Sequence, residues 1–396
     1  MELRPERTVY LDHAATTAVD PRVVEAMLPF WTEKYGNASS IYAVGREANH
    51  AMDEARHTVA GILNCRPQEV IFTGCGTESD NLALRGVAFE RRRRAKKNHI
   101  ITSAIEHHAI GHTLEQLERH FGFEVTYVPV DHHGLVDPVD VQQAIRADTA
   151  LISIMYANNE VGTIEPIAEI GEIARAHQIP FHTDAVQAGG TLSLDVQALN
   201  VDLMSLSAHK FYGPKGVGVL YARRGVPLLP ALTGGAHERT RRAGTENVPY
   251  IVGLATALRL AYEEAEAANA RIGRLRDKLV AGVLERIPDS QLSGHPTQRL
   301  PNSASFLFSY IEGESILLNL DLMGVAASSG SACTSGSLEP SHVLIAMGFP
   351  HEVAHGSLRL TLGKENTEDD IDYVLEILPG VIEKLRLMSP LYNASQ

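Results

Sequence analysis

Only three cysteines occur in the 396 residues, Cys65, Cys75 and Cys333. They are too few and too scattered for a disulfide framework or a zinc cluster, so any functional cysteine is expected to act as a free thiol. No apolar run approaches the roughly 18 residues that cross a bilayer. The opening residues Met1-Glu2-Leu3-Arg4-Pro5-Glu6 lack the apolar stretch of a signal peptide. A cytoplasmic protein that avoids membranes is expected. Positive charge is also scarce, with 35 Lys and Arg against 48 Asp and Glu and a formal net charge of −13. That balance disfavours broad binding to nucleic acid or anionic lipid. The one basic run, Arg91 to Arg94 with Lys96 and Lys97, follows a helix-like stretch from about Ser79. Cations are favoured at a helix C-terminus, so this run reads as a solvated helix end. Repeats and low-complexity linkers are absent.

What is present is an ordinary globular composition, 44% hydrophobic and 21% charged, long enough for two domains. From about residue 70 to 225, short β-rich segments alternate with helical ones. The strand candidates are Val70–Thr73, His99–Ser103, Glu124–Val128, Leu151–Tyr156, Ile179–Thr183, Leu203–Leu206 and Val217–Tyr221. Several are continuously apolar, as strands covered on both faces should be. Helices between them predict an α/β fold with a mostly parallel sheet and right-handed crossovers. Ligands in such sheets bind beyond the carboxyl ends of the strands, where the unusual polar residues fall. After about residue 265 the texture changes. A long helix over about Ile251–Arg286 leads into a strand at Ser303–Tyr310, a helix at Glu314–Met323 and a strand at Ser357–Leu362. A last helix starts at Thr367, with Ile371, Val374, Leu375 and Leu378 on one face. A second domain packed on the first is expected.

Four segments of the first part carry chemistry. Phe72-Thr73-Gly74-Cys75-Gly76-Thr77-Glu78-Ser79 reads as strand, glycine turn and helix start, whose free N–H groups and Thr77 hydroxyl suit a phosphate. Asp184, in His182-Thr183-Asp184-Ala185-Val186-Gln187, ends a buried strand; it needs a partner there unless it only caps a helix. Lys210 follows Ser205-Leu206-Ser207-Ala208-His209 and precedes Gly213-Pro214-Lys215-Gly216. A lysine in a partly desolvated, cationic pocket has a lowered pKa and can form a Schiff base. Tyr156-Ala157-Asn158-Asn159-Glu160 places two amides at a strand end.

Together with Asn159-Glu160-Val161-Gly162-Thr163 and Arg241-Arg242-Ala243-Gly244-Thr245-Glu246-Asn247, these motifs resemble the cysteine desulfurases of the NifS/IscS group, within the class-V aminotransferases. The resemblance runs from Tyr10-Leu11-Asp12 to Ser357-Leu358-Arg359-Leu360, with the motifs in the family's order. It implies the aspartate-aminotransferase fold of pyridoxal 5'-phosphate (PLP) enzymes and a homodimer. A large domain over 15–262 and a small one from 1–14 and 263–396 would follow, the latter carrying a cysteine loop at about 325–337. By the same resemblance Lys210 is the cofactor lysine, Asp184 protonates the pyridine nitrogen, which makes the ring an electron sink, and Gln187 meets the ring hydroxyl. His107 stacks on the ring and takes part in catalysis. Gly76, Thr77, Ser207 and His209 hold the phosphate, joined by Thr245 from the other subunit. Asn159 and Arg359 position substrate, Arg359 as a fork for the amino acid's carboxylate.

Cys333 lies in Ser328-Ser329-Gly330-Ser331-Ala332-Cys333-Thr334-Ser335-Gly336, a Ser- and Gly-rich stretch with no apolar core to fill. It is expected to take sulfur from L-cysteine as a persulfide, release L-alanine, and hand the sulfur to an acceptor for iron–sulfur assembly or for thiolation of tRNA or a cofactor. A selenocysteine lyase or a plain aminotransferase on the same fold is the alternative, though an aminotransferase has no use for Cys333. A sulfur relay that has lost catalysis would have no need of Lys210, Asp184, His107 and Arg359. His351-Glu352-Val353-Ala354-His355 satisfies the H-E-x-x-H zinc pattern, but Pro350 and Gly356 bracket it and no third ligand motif follows, so no metal is expected. Three departures from the family pattern stand out: Cys75 beside the phosphate loop, Gly36-Asn37-Ala38 with Tyr42, and a sequence running only to Gln396, which does not favour scaffold docking by a long tail.

Overall fold

The computed structural model describes residues 7–330 and 339–393. In chain order its strands are β1 (Val9–Tyr10), β2 (Val70–Thr73), β3 (His99–Ser103), β4 (Glu124–Val128), β5 (Thr149–Ser153) and β6 (Phe181–Asp184). They continue as β7 (Leu203–Ser207), β8 (Gly218–Ala222), β9 (Ser290–Leu292), β10 (Ser303–Phe308), β11 (Val325–Ala326) and β12 (Ser357–Thr361). Seven form one sheet in the order β2-β8-β7-β6-β5-β3-β4. Only β8 runs antiparallel to its neighbours, so the expected α/β fold with a mostly parallel sheet is what the chain adopts.

The reason lies in the residues. Strands β2, β3, β5, β6, β7 and β8 are buried along their whole length, and a strand covered on both faces needs helical crossovers to cover it. Edge strand β4 is the exception, with Glu124 and Tyr127 facing solvent. The strand expected over 151–156 begins two residues earlier and ends three earlier, at Ser153. Beyond Ser153 the backbone still bonds to the β6 segment, with Ile154 N–H on His182 C=O at 3.1 Å and Tyr156 N–H on Asp184 C=O at 2.8 Å. The run stays apolar because Ile154, Met155 and Ala157 remain buried there.

A second apolar cluster joins Val9 and Leu11 to Ile272, Leu279, Phe306, Leu358 and Leu378, apart from the cluster that packs the large sheet. The 39-residue helix Val248–Arg286 belongs to both: Leu254 and Leu258 pack in the first cluster, Leu275 and Leu279 in the second. At about 1.5 Å per residue it spans roughly 60 Å. The last long helix, Glu368–Met388, starts where expected. Thr367 and Asp370 form a reciprocal capping box, and such caps contribute about 1 kcal/mol. Among the described residues, no helix is long and apolar enough to cross a membrane.

Candidate active site

The carboxyl ends of the parallel strands open into a cavity of about 460 Å³. Gly76, Thr77, His107, Asn159, Asp184, Gln187, Ser207, His209, Lys210 and Arg359 all line it. Thr245 does not: it is exposed, on the segment before the long helix. Cys333 lies outside the described residues, while Ser328, on the strand side of that stretch, does line the cavity.

One wall is a helix start. The helix Gly76–Ala95 follows β2, Gly76 and Thr77 of its first turn line the cavity, and Cys75 precedes it in extended backbone. A Cβ on Gly76 would fall 2.7 Å from Val186 Cγ2 and 3.3 Å from Ser207 Cβ, so only glycine lets a ligand and both neighbours approach. Outside this wall, Glu78 Oε2 accepts from Gly74 N–H at 2.6 Å, and Arg242 Nε donates to Glu78 Oε1 at 2.7 Å. That pair ties the turn to the segment carrying Thr245.

The floor is carboxylic. Asp184 ends β6, and its Oδ1 accepts from Val186 N–H at 2.9 Å. Burial raises its pKa to about 6, opposed by the Val186 N–H and by the Lys210 charge. Lys210 follows β7, and its ammonium is parked on the carbonyls of Ala14 and Ala15, at 2.5 and 2.8 Å. Gln187 Nε2 donates to the same Ala14 carbonyl at 3.0 Å. The N-terminal segment thus gathers the lysine and the amide on one backbone turn.

His107 caps the helix His108–Phe121: its Nδ1 accepts from Ala109 N–H at 3.1 Å, which leaves the proton of the neutral ring on Nε2. Burial first, then Lys210, His342 and His112, lower its pKa to about 4. His209 is lowered to about 4 by burial and by Lys210 and Lys215. Both rings are neutral at physiological pH. On the opposite wall Arg359 is buried, with Nη1 on Asn159 C=O at 2.9 Å and Nη2 on Asp12 Oδ1 at 2.9 Å. Among the described residues its Nε has no partner, which leaves a donor that a carboxylate could meet.

Sequence reasoning overlooked three of these groups. Asp12 was visible only as part of the N-terminal motif, and its pairing with Arg359 depends on long-range packing. Asp80 and Glu106 sit in stretches that look like solvated helix and turn, yet they are 1% and 4% exposed. The H-E-x-x-H pair is brought to no metal geometry: among the described residues no group of three His, Cys, Asp or Glu is arranged for an ion.

A glycine-walled helix start, a lysine and a buried carboxylate at adjacent strand ends fit a PLP enzyme of the aminotransferase superfold. The chain matches the aminotransferase class-V family over residues 9–374. It is 58% identical over 385 residues to a cysteine desulfurase IscS of Methanosarcina thermophila, covering 97% of this chain and 94% of that one. It is 52% identical over 389 residues to a cysteine desulfurase IscS of Clostridium botulinum, covering 98% and 97%. A solved NifS-like protein superposes with a TM-score of 0.89 at 41% identity, covering 96% of this chain and all of that one. SspA in complex with cysteine superposes with a TM-score of 0.80 at 37% identity, covering 90% and 99%. The chain belongs to the cysteine desulfurases of the class-V aminotransferase family, whose cofactor is PLP.

Proposed function

We propose that the protein converts L-cysteine to L-alanine and keeps the released sulfur as a persulfide on Cys333. The observation that carries this reading is the meeting of Lys210, Asp184, His107 and Arg359 in one cavity. When bound, PLP supplies an electron sink that weakens the substrate's Cβ–S bond. Lys210 would hold it covalently through Nζ, after leaving the Ala14 and Ala15 carbonyls. Asp184 would keep the ring nitrogen protonated, Gln187 would meet the ring hydroxyl, and His107 would lie against the ring and shuttle a proton. Gly76, Thr77, Ser207 and His209 would hold the phosphate, with Thr245 supplied by a second copy of the chain. Arg359 and Asn159 orient the amino acid. The Cys333 thiolate attacks the substrate sulfur: the S–S bond forms as Cβ–S breaks, the electron pair stays on the substrate carbon, and a proton completes the methyl group of alanine.

The division into a large domain over 15–262 and a small one from 1–14 and 263–396 belongs to the same reading, supported by the cluster around Val9, Leu11, Phe306 and Leu378, which is separate from the clusters that pack the large sheet. A homodimer is supported by the large hydrophobic side chains left exposed within 28–42, Leu28, Trp31, Tyr35, Ile41 and Tyr42, which a second copy could cover. The absence of a membrane-spanning helix among the described residues is consistent with a cytoplasmic enzyme. Its sulfur would pass to an acceptor protein, an iron–sulfur scaffold or a thiolation partner. The test is product stoichiometry: one alanine and one sulfur per cysteine consumed, with no keto acid. Keto acid formation without sulfur release would contradict the proposal.

A further inference from the structure

Asp80 stands in the cavity wall with no role in the chemistry above. It lies in the second turn of the helix Gly76–Ala95, 1% exposed, and shares the cavity with Asp184. Among the described residues its Oδ1 has no hydrogen-bond partner. The one ion-pair contact it makes among the described residues is with His182 Nε2, at 3.7 Å. That ring does not neutralise it. His182 is fully buried, with Nδ1 at 2.9 Å from Ser153 Oγ and Nε2 at 3.0 Å from Ser205 Oγ. Burial lowers its pKa to about 3. An ionised carboxylate needs about four accepted hydrogen bonds or a cation, and this place offers neither. Two further carboxyl groups face it, Asp184 from β6 and Glu106 from the turn after β3, and like charges so placed do not ionise together.

We propose that Asp80 keeps its proton at neutral pH and acts as a positioning residue for Asp184, so that one negative charge and not two lies beneath the cofactor ring nitrogen. This rests on the role given to Asp184 above. The assignment of the proton follows from the partners. Asp184 has the Val186 N–H and the nearby Lys210 to favour its charge, and burial raises it only to about 6. Asp80 is raised well above the ordinary carboxylate range by burial, then by Asp184 and Glu106, with a Ser205 hydrogen bond the one opposing contact. The Ser153–His182–Ser205 string lies behind the carboxyl group, with His182 Nε2 3.7 Å from Oδ1.

The test compares Asp80→Asn and Asp80→Ala holoenzymes by the pH titration of the bound cofactor's visible band and by cofactor affinity. Asn keeps the shape and neutrality of a protonated Asp, so its titration midpoint should match wild type. Ala lets Asp184 shift and should move the midpoint by about one pH unit and weaken cofactor binding about tenfold. A midpoint shift of that size in Asp80→Asn would mean that Asp80 is ionised and would overturn the proposal. So would unchanged midpoints in both variants with only a loss of thermal stability. If Asp80→Asn does not fold, infrared spectroscopy of wild type with isotope-labelled aspartate decides: a protonated aspartate carbonyl band at neutral pH supports the proposal, and its absence overturns it. Asp184→Asn is measured in parallel. An unaltered band and affinity there would sink the role of Asp184 itself, an outcome distinct from failure of the Asp80 variants alone.

Discussion

Arg359 Nη2 lies 2.9 Å from Asp12 Oδ1, and the same guanidinium reaches Asn159 C=O through Nη1. The N-terminal segment, the loop after β5 and strand β12 are thereby tied at one end of the cavity. The guanidinium is held in place by these two contacts, and its Nε has no partner among the described residues.

If that fork receives the carboxylate of cysteine, Arg359→Lys loses the bidentate geometry and keeps the charge. KM for cysteine should rise about 10- to 100-fold, as the loss of about 1.5–3 kcal/mol from a charged hydrogen bond implies, with kcat changing less. Steady-state kinetics checks this. An unchanged KM would remove Arg359 from substrate binding.

Lys210 is expected to carry the cofactor. Lys210→Ala should fold as wild type does, with the same oligomeric state, but lack the visible absorption of a lysine-bound cofactor. Borohydride reduction followed by peptide mapping should fix the cofactor to the peptide containing Lys210 in wild type and to no peptide in the variant. A reduced adduct retained in Lys210→Ala would contradict the assignment.

Glu106 offers a pH test that needs no cofactor. Its Oε1 accepts from Ser103 Oγ and Met155 N–H at 2.6 and 2.9 Å, and Oε2 has no partner. Burial raises its pKa from 4.5 to about 8. A group raised on folding contributes stability that is fully present below pH 4.5 and lost as pH rises through about 8. Glu106→Gln cannot lose a proton. In denaturant titrations of the apoprotein, its stability relative to wild type should therefore improve by a few kcal/mol (~1.4 per pH unit) across that window. A pH-independent difference would show that Glu106 is ionised in the native state.

The large sheet was legible in the sequence because burial on both faces leaves an apolar signature in β2, β5 and β8 that no solvated segment shares. Boundaries were less legible. The strand expected to reach Tyr156 stops at Ser153, although Ile154 and Tyr156 N–H still reach the His182 and Asp184 carbonyls, so only the partner strand, 28 residues distant, sets where regular pairing ends. The site followed the same rule. Gly76, Asp184 and Lys210 could be read from strand ends, whereas Asp80 could not, since an acidic residue near a helix start usually faces water. Thr245 points to a second subunit only through the family resemblance; in the single chain it is exposed and lines no part of the cavity.

The His351–His355 pair should be silent as a metal site. Desulfurase activity should survive exhaustive treatment with a chelator that does not react with PLP, and metal analysis should find no stoichiometric zinc. Activity lost to the chelator and restored only by zinc would reverse this conclusion.

Cys333 bears the central claim. Cys333→Ala removes the nucleophile and leaves the cofactor cavity intact, so the variant should bind PLP with the wild-type visible spectrum. Cys65 and Cys75 serve as controls, and substituting Cys65, which is remote from the cavity, should leave most activity. The direct measurement is mass spectrometry after brief exposure to L-cysteine, paired with alanine release. Wild type should carry one extra sulfur on the Cys333 peptide, and alanine release by Cys333→Ala should fall by several orders of magnitude, roughly the advantage of a positioned nucleophile. Near-wild-type alanine release by Cys333→Ala, with no sulfur on that peptide in wild type, would contradict the persulfide account.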